Sequence, residues 1–138
     1  MSSEEIYSYL LYEFRNRFGW LRLGDEDIPK EDVGLPTVLI DDIINYQFIE
    51  KYNKEPELME EWQRFFGFIE ELLHSNDAVI VEVVETTILE MLAADYDVKL
   101  ESILTYCGSY TRKSIYNSVS HYFGNPQKAK TLQIRYPL

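Results

Sequence analysis

The stretch that decides the fold is Ser75 to Asp95, SNDAVIVEVVETTILEMLAAD, the longest apolar segment of the chain. Its β-branched residues favour a strand. Its length favours a helix, because strands usually run only about four to eight residues. The apolar residues at 80, 84, 88 and 91/92 recur at helical spacing, and Ser75, Asn76 or Asp77 can accept hydrogen bonds from a first helical turn. We therefore predict a helix here, apolar around more than half its circumference and central to an all-α domain.

Helical patterns continue on both sides of this segment. Apolar stripes predict helices over about 2–18, 36–52 and 56–74 before it, and shorter ones over about 97–107 and 109–123 after it. Asp97 is a predicted cap and Gly108 a predicted end of the first short helix. Tyr122 and Phe123 belong to the apolar stripe of the second. The fold class is therefore all-α, with about six short helices in stacked antiparallel pairs, loosely like a HEAT-type array.

The length of 138 residues fits one domain. We predict a single helical domain over 1–124 and an extended basic tail over 125–138, which has a proline near each end and no helical stripe. With 46% apolar and 14% aromatic residues, the chain has ample material for a core. Its one cysteine, Cys107, fits a reducing compartment. No signal sequence or run of about 18 apolar residues is present. We therefore expect a cytoplasmic protein without a membrane span.

The charges are strongly segregated along the chain. The net charge is −11, and all 24 acidic residues lie at or before Glu101 with 8 of the basic ones. The other 5 basic residues lie in 102–138, where no acid occurs. The acidic body argues against general nucleic-acid binding, because phosphate contacts need an electropositive surface. It fits a basic protein partner, although solubility alone is an equally good explanation.

An acidic loop over 24–34 carries five acids within eight positions. It does not fit an EF-hand, because counting from Asp25 the sixth residue is Lys30, where an EF-hand loop requires glycine. It is either a solvated loop or a docking loop for a basic partner. Further acids lie on the outer side of the third predicted helix. The predicted partner-binding residues are Asp25, Glu26, Asp27, Glu31, Asp32, Glu57, Glu60 and Glu61.

Two motifs with chemical potential favour structural roles. Glu71 and His74 have Glu-x-x-His spacing, but a di-iron bundle needs a second such motif, and Ser118 stands at the matching position before His121. His74 is better explained as a capping or surface residue. Cys107 has no base marked nearby and is expected to be buried. Gly-x-Gly phosphate loops are absent. We predict no catalytic residue, no metal and no cofactor.

Three glutamates lie on the central helix. Glu82, Glu85 and Glu90 could perform acid–base chemistry in an apolar setting. They are better explained as a polar margin, or as partners of Arg112 or Lys113. An enzyme would require a pocket in which Glu85, Glu90, His74 or His121 converge.

Several stretches together resemble a known group of proteins. They are Leu35-Pro-Thr-Val-Leu39, Phe68-Ile-Glu-Glu-Leu72, Ser75-Asn-Asp77, the run ending in Ile88-Leu-Glu-Met-Leu92, and Leu104-Thr-Tyr-Cys-Gly-Ser-Tyr-Thr-Arg112. Over about residues 35–115 this order resembles small, acidic, all-helical bacterial proteins of uncharacterised type. Some of these are similar to immunity proteins of polymorphic toxin systems. The resemblance implies toxin neutralisation and no catalytic residues.

The leading interpretation is a non-catalytic protein-binding module. Under this interpretation we expect a bacterial immunity protein that blocks the active site of a cognate toxin, such as a basic nuclease. The 11 tyrosines suit a protein interface. The alternative is a structural or regulatory scaffold, in which the basic tail pairs with an acidic face within a homodimer.

Overall fold

Helices form all the regular structure in the residues that the computed structural model describes, which are 3–22, 40–94 and 97–138. Seven continuous helices occur there, in the order α1 (Ser3–Arg17), α2 (40–54), α3 (Met59–Leu73), α4 (78–94), α5 (Leu100–Leu104), α6 (109–122) and α7 (Pro126–Arg135). The predicted all-α class with stacked helices is confirmed. The described residues contain no helix with the length and apolar character of a membrane span.

Contacts along the chain define two compact units, Met1–Pro56 and Glu57–Leu138. The single domain predicted over 1–124 stays a prediction.

In the first unit α1 packs on α2. Gln47 of α2 forms two hydrogen bonds with the backbone of Arg22, which follows α1. Its side-chain amide accepts from the Arg22 N–H at 2.8 Å and donates to the Arg22 carbonyl at 3.0 Å. The buried apolar residues include Ile6, Leu10, Phe14, Phe18, Ile40, Ile44 and Phe48.

The second unit is built on the hairpin of α3 and α4. These helices are joined by residues 74–77 and pack against each other. The Asp77 carboxylate accepts from the Val79 N–H at 3.0 Å, so Asp77 is the residue that caps α4. The predicted stripe is buried, at Ile80, Val84, Ile88 and Leu92. The stretch that favoured both a strand and a helix is therefore a buried helix, as predicted.

The prediction of an extended tail over 125–138 is wrong, because Pro126–Arg135 is a helix. The Asn125 side chain caps it by accepting from the Lys128 N–H at 3.1 Å, with a proline in the first turn. Helix α7 packs on α6 and buries Ala129 and Leu132. Two apolar residues three positions apart make a stripe too short to stand out in a polar sequence.

Three details of the short helices also differ from prediction. Helix α5 begins after Lys99, without a side-chain cap, so Asp97 does not cap it. It ends at Leu104, and Gly108 instead precedes the first residue of α6. Tyr122 and Phe123 are 69% and 40% exposed, so they do not continue the buried stripe of α6.

Helices α2, α4 and α6 each contain a π-helical segment, over Asp41–Tyr46, Val84–Leu89 and Ser118–Tyr122 respectively. In α4 the Thr86 hydroxyl donates to the Glu82 carbonyl at 2.8 Å, and the Thr87 hydroxyl donates to the Val83 carbonyl. In an α-helix each of these carbonyls accepts a hydrogen bond from the backbone N–H four residues later. A threonine hydroxyl that donates to the same carbonyl competes with that N–H, and this competition bends helices.

Candidate functional site

A polar groove lies along α4 and α6. It consists of two adjoining depressions of about 420 and 440 Å³ that share Glu85 and Thr86. The first is also lined by Ser75, Asn76, Ala78, Val81 and Glu82. The second is also lined by Glu90, Ser114, Asn117, Ser118, His121 and Tyr122. We refer to these residues together as the polar groove.

The π-helical segments of α4 and α6 both line the second depression of this groove. Glu85 and Thr86 come from the first segment, and Ser118, His121 and Tyr122 come from the second. The segment in α4 packs on α6, and the end of α4 packs on the segment in α6. Because π-helical segments frequently occur at functional sites, their coincidence with a groove marks this surface as the best candidate site.

The groove carries three carboxylates, all of them from α4. Glu82, Glu85 and Glu90 form no ion pair with a described residue. The Ser114 hydroxyl lies 3.5 Å from a Glu85 oxygen, at the limit of a hydrogen bond. By contrast, Glu50, Glu55, Glu61 and Glu101 each pair with a lysine or arginine.

The expected partners of these glutamates are engaged elsewhere or exposed. The Arg112 guanidinium donates to the Leu104 carbonyl at 2.9 and 3.1 Å and to the Pro137 carbonyl at 2.7 Å. Lys113 is exposed and forms no ion pair with a described residue. Of the two explanations given above for the groove glutamates, pairing with Arg112 or Lys113 is therefore wrong.

The groove brings together three of the four residues that an enzyme would require. Glu85, Glu90 and His121 line the same depression, whereas His74 does not. Ser114 is buried and directed to Glu85, and no hydrogen bond joins it to His121. An activated serine needs such a bond to its base. What the arrangement offers is negative charge, hydroxyl groups and an exposed aromatic ring, which are the means to bind a cation.

A second polar cluster joins α3 to α6. The Glu70 carboxylate accepts from the Thr111 N–H at 2.8 Å, the Thr111 hydroxyl at 2.9 Å and the Tyr110 N–H at 3.2 Å. His74 Nε2 lies 3.0 Å from the same carboxylate, and its ring stacks on Tyr110 with centroids 3.9 Å apart. Glu70 therefore caps α6 from a neighbouring helix. His74 is exposed at the end of α3, as predicted, and its partner is Glu70 rather than Glu71.

The surroundings of Glu70 favour its charged form. Partial burial raises the pKa of this carboxyl, but the hydrogen bonds from Thr111, His74 and Tyr110 outweigh burial, and the pKa lies below its ordinary value of 4.5. Gly108 allows the close approach. A Cβ at this position would lie 2.5 Å from Glu70 Cδ and 2.7 Å from Oε1.

Cys107 is buried, as predicted. Its thiol donates to the Ile103 carbonyl at 3.3 Å. Burial raises the pKa of this thiol to about 12. A thiol that stays protonated at neutral pH is a poor nucleophile.

The predicted partner-binding residues fall into two sets. Five of them, Asp25, Glu26, Asp27, Glu31 and Asp32, lie outside the described residues. Glu57, Glu60 and Glu61 lie at the start of α3, where negative charge also stabilises the helix dipole.

Within this second set, Glu61 pairs with Arg64 at 2.9 Å. Glu57 and Glu60 are exposed and form no ion pair with a described residue. Between them lie Leu58, which is 36% exposed, and Met59, which is 58% exposed.

Among the described residues, no group of three or more His, Cys, Asp and Glu side chains is arranged to hold a metal ion. The sequence singled out Glu82, Glu85, Glu90 and His121 but did not mark the other groove residues of α6 as part of a site. Their signal was a polar stripe at helical spacing, formed by Ser114, Asn117 or Ser118, and His121.

In comparisons with known proteins, no family model, curated protein or solved structure matches this chain at a significant level. The resemblance to immunity proteins stays a prediction.

Proposed function

We propose that this protein is a non-catalytic protein-binding module that binds a basic partner through the start of α3. The observation that carries the proposal is the placement of exposed Leu58 and Met59 between Glu57 and Glu60, two carboxylates without ion pairs to described residues. An apolar centre with a charged margin is the usual composition of a protein interface, and methionine is enriched there.

The partner that fits this surface is a basic toxin domain, such as a nuclease, which makes the protein an immunity protein. A nuclease active site attracts phosphate and is therefore positively charged. An acidic cover would be steered to it and would block access to it without chemistry. The net charge of −11 and the resemblance over about residues 35–115 support this assignment. We assign the protein to the cytoplasm, because its one cysteine suits a reducing compartment.

The test is co-expression with the product of the neighbouring upstream gene, followed by co-purification and measurement of the dissociation constant. We expect a basic toxin in the complex. The double change Glu57→Lys and Glu60→Lys should weaken binding by about tenfold or more at low salt, because reversing charges at an interface slows encounter and adds repulsion.

Glu71→Lys is the matched control, since Glu71 is an exposed acid further along the same helix. This variant should bind as the unchanged protein does. The proposal fails if the neighbouring product is not a toxin and no basic partner is recovered. It also fails if the double variant binds with unchanged affinity.

A further inference from the structure

We propose that this protein associates with a second copy of itself, and that the outer face of α7 in one copy contacts the start of α3 in the other. The outer face of α7 consists of Gln127, Lys130, Thr131 and Ile134, with Lys128 at its edge. The start of α3 is the acidic and apolar surface described above. Because the contacts of a two-fold pair are reciprocal, each copy contributes both surfaces.

The charge of α7 carries the first step of the argument. Its charged residues are Lys128, Lys130 and Arg135, and no acidic residue occurs anywhere in 102–138. Arg135 pairs with Glu101 at 2.8 Å. Lys128 and Lys130 are exposed and form no ion pair with a described residue. The helix therefore presents two positive charges that no described acid compensates.

An exposed isoleucine lies on the same face of α7. Ile134 is 83% exposed, more than any other large apolar side chain among the described residues. It follows Lys130 by one helical turn and lies on the opposite side of the helix from Ala129 and Leu132, which are buried where α7 packs on α6. Packing on α6 thus leaves this side of α7 exposed, with an apolar side chain at its centre.

The start of α3 has the complementary composition. Glu57 and Glu60 are exposed carboxylates that border the exposed side chains of Leu58 and Met59. Within one copy, no ion pair joins these two glutamates to the lysines of α7. A second copy brings the opposite charges together around an apolar centre, in which Ile134 contacts Leu58 and Met59.

The association is weak, because each copy carries a net charge of −11 and two copies repel each other at long range. The contact is also small, since a helix of the length of α7 spans only about 15 Å. We expect a dissociation constant of about 0.1–1 mM. The second copy covers the residues that we propose for the toxin, so toxin binding and self-association exclude each other. This last consequence alone rests on the proposed function.

The first experiment is sedimentation equilibrium of the unchanged protein at concentrations up to about 1 mM, where we expect the apparent mass to rise from that of a monomer toward that of a dimer. Ile134→Ala should weaken self-association by about fivefold, because it removes the apolar contact. Gln133→Ala is the matched control and should have no effect, since Gln133 is exposed on α7 but lies in line with Ala129, away from the outer face.

Exchange of charges between the two surfaces is the second experiment. The double changes Lys128→Glu with Lys130→Glu and Glu57→Lys with Glu60→Lys should each weaken self-association by about tenfold or more, because like charges then face each other. When the first variant is fluorescently labelled and titrated with the second, they should bind at least as tightly as the unchanged protein binds itself. Both contacts of the mixed pair again join opposite charges, and restored binding shows that both variants are folded.

Glu71→Lys is the control partner for this titration, and it should bind the labelled variant about tenfold more weakly than the Glu57→Lys, Glu60→Lys protein does. The proposal is overturned if the unchanged protein stays monomeric at about 1 mM, or if the mixed pair does not bind. It is also overturned if Gln133→Ala weakens association as much as Ile134→Ala does. The labelled variant keeps the start of α3 and should bind the toxin as the unchanged protein does, which separates failure of this proposal from failure of the proposed function.

Discussion

Glu70→Ala is the change that most directly tests how α3 holds α6 in place. The carboxylate accepts three hydrogen bonds from the first turn of α6 and lies beside His74, and its side chain is only 19% exposed. Alanine leaves the N–H and hydroxyl of Thr111 without this acceptor, and Thr111 is fully buried.

The expected cost follows from these contacts. A lost helix cap costs roughly 0.5–2 kcal/mol, and a hydrogen bond to a charged group contributes roughly 1.5–3 kcal/mol. Because solvent reaches part of the carboxylate, we expect the free energy of unfolding to fall by about 2 kcal/mol at pH 7. For a chain of this size, this corresponds to a decrease in Tm of roughly 8 °C.

The dependence on pH provides a second, independent measure. The pKa of Glu70 is lowered in the folded protein, so its contribution is fully present above the ordinary value of 4.5 and is lost as the pH falls through the lower folded value. The difference in stability between the unchanged protein and Glu70→Ala should therefore shrink below about pH 4.5.

Urea denaturation followed by circular dichroism at pH 7 and at lower pH measures both quantities. Glu71→Ala is the control, because Glu71 is exposed on the same helix and should alter stability by no more than about 0.5 kcal/mol. Equal losses for the two variants would refute the assignment of Glu70 as the cap of α6. A gap that stays constant down to acid pH would refute the charged form as the stabilising one.

Three further predictions concern packing and reactivity. Gly108→Ala should destabilise the protein by about 1–2 kcal/mol, because the new Cβ displaces the Glu70 carboxylate. The same change should cost much less in a protein that already carries Glu70→Ala. Urea denaturation with and without Gly108→Ala in each background measures the two costs. Cys107 should resist iodoacetamide at pH 8 in the folded protein and react once guanidinium unfolds it, as followed by mass spectrometry; rapid native labelling would contradict its burial. Leu132→Ala should cost about 2–3 kcal/mol of unfolding free energy, whereas Ile134→Ala, at an 83% exposed position of the same helix, should cost almost none; equal effects would contradict the packing of α7.

Sequence reasoning succeeded where one local signal was strong. The segment 75–95 had a long apolar stripe and three candidate capping residues, of which Asp77 is the cap in the structure, and both features depend only on nearby residues. It failed for 125–138, where the apolar face of α7 amounts to Ala129 and Leu132. So small an apolar face can be recognised only from its packing on a neighbouring helix, because tertiary packing provides most of the stability of a short helix.

The candidate site shows the same division. The sequence placed Glu82, Glu85 and Glu90 on one helix and identified His121 as one of two histidines. It did not show that α6 packs on α4 and that Ser118 and His121 line the same depression as Glu85 and Glu90. Nor did it show that both helices take a π-helical form at this point.

By itself, the sequence determined that the chain is helical, that its central helix lies within 75–95, and that acidic and basic residues are segregated along the chain. These properties follow from residue periodicity, capping chemistry and composition, which act over a few positions. Only the tertiary structure decided which charges are neutralised. It assigned Glu70 to cap α6 and left Glu85 and Glu90 without an ion pair to any described residue. Such pairings join residues tens of positions apart, and electrostatic energy depends on their distances in space rather than along the chain.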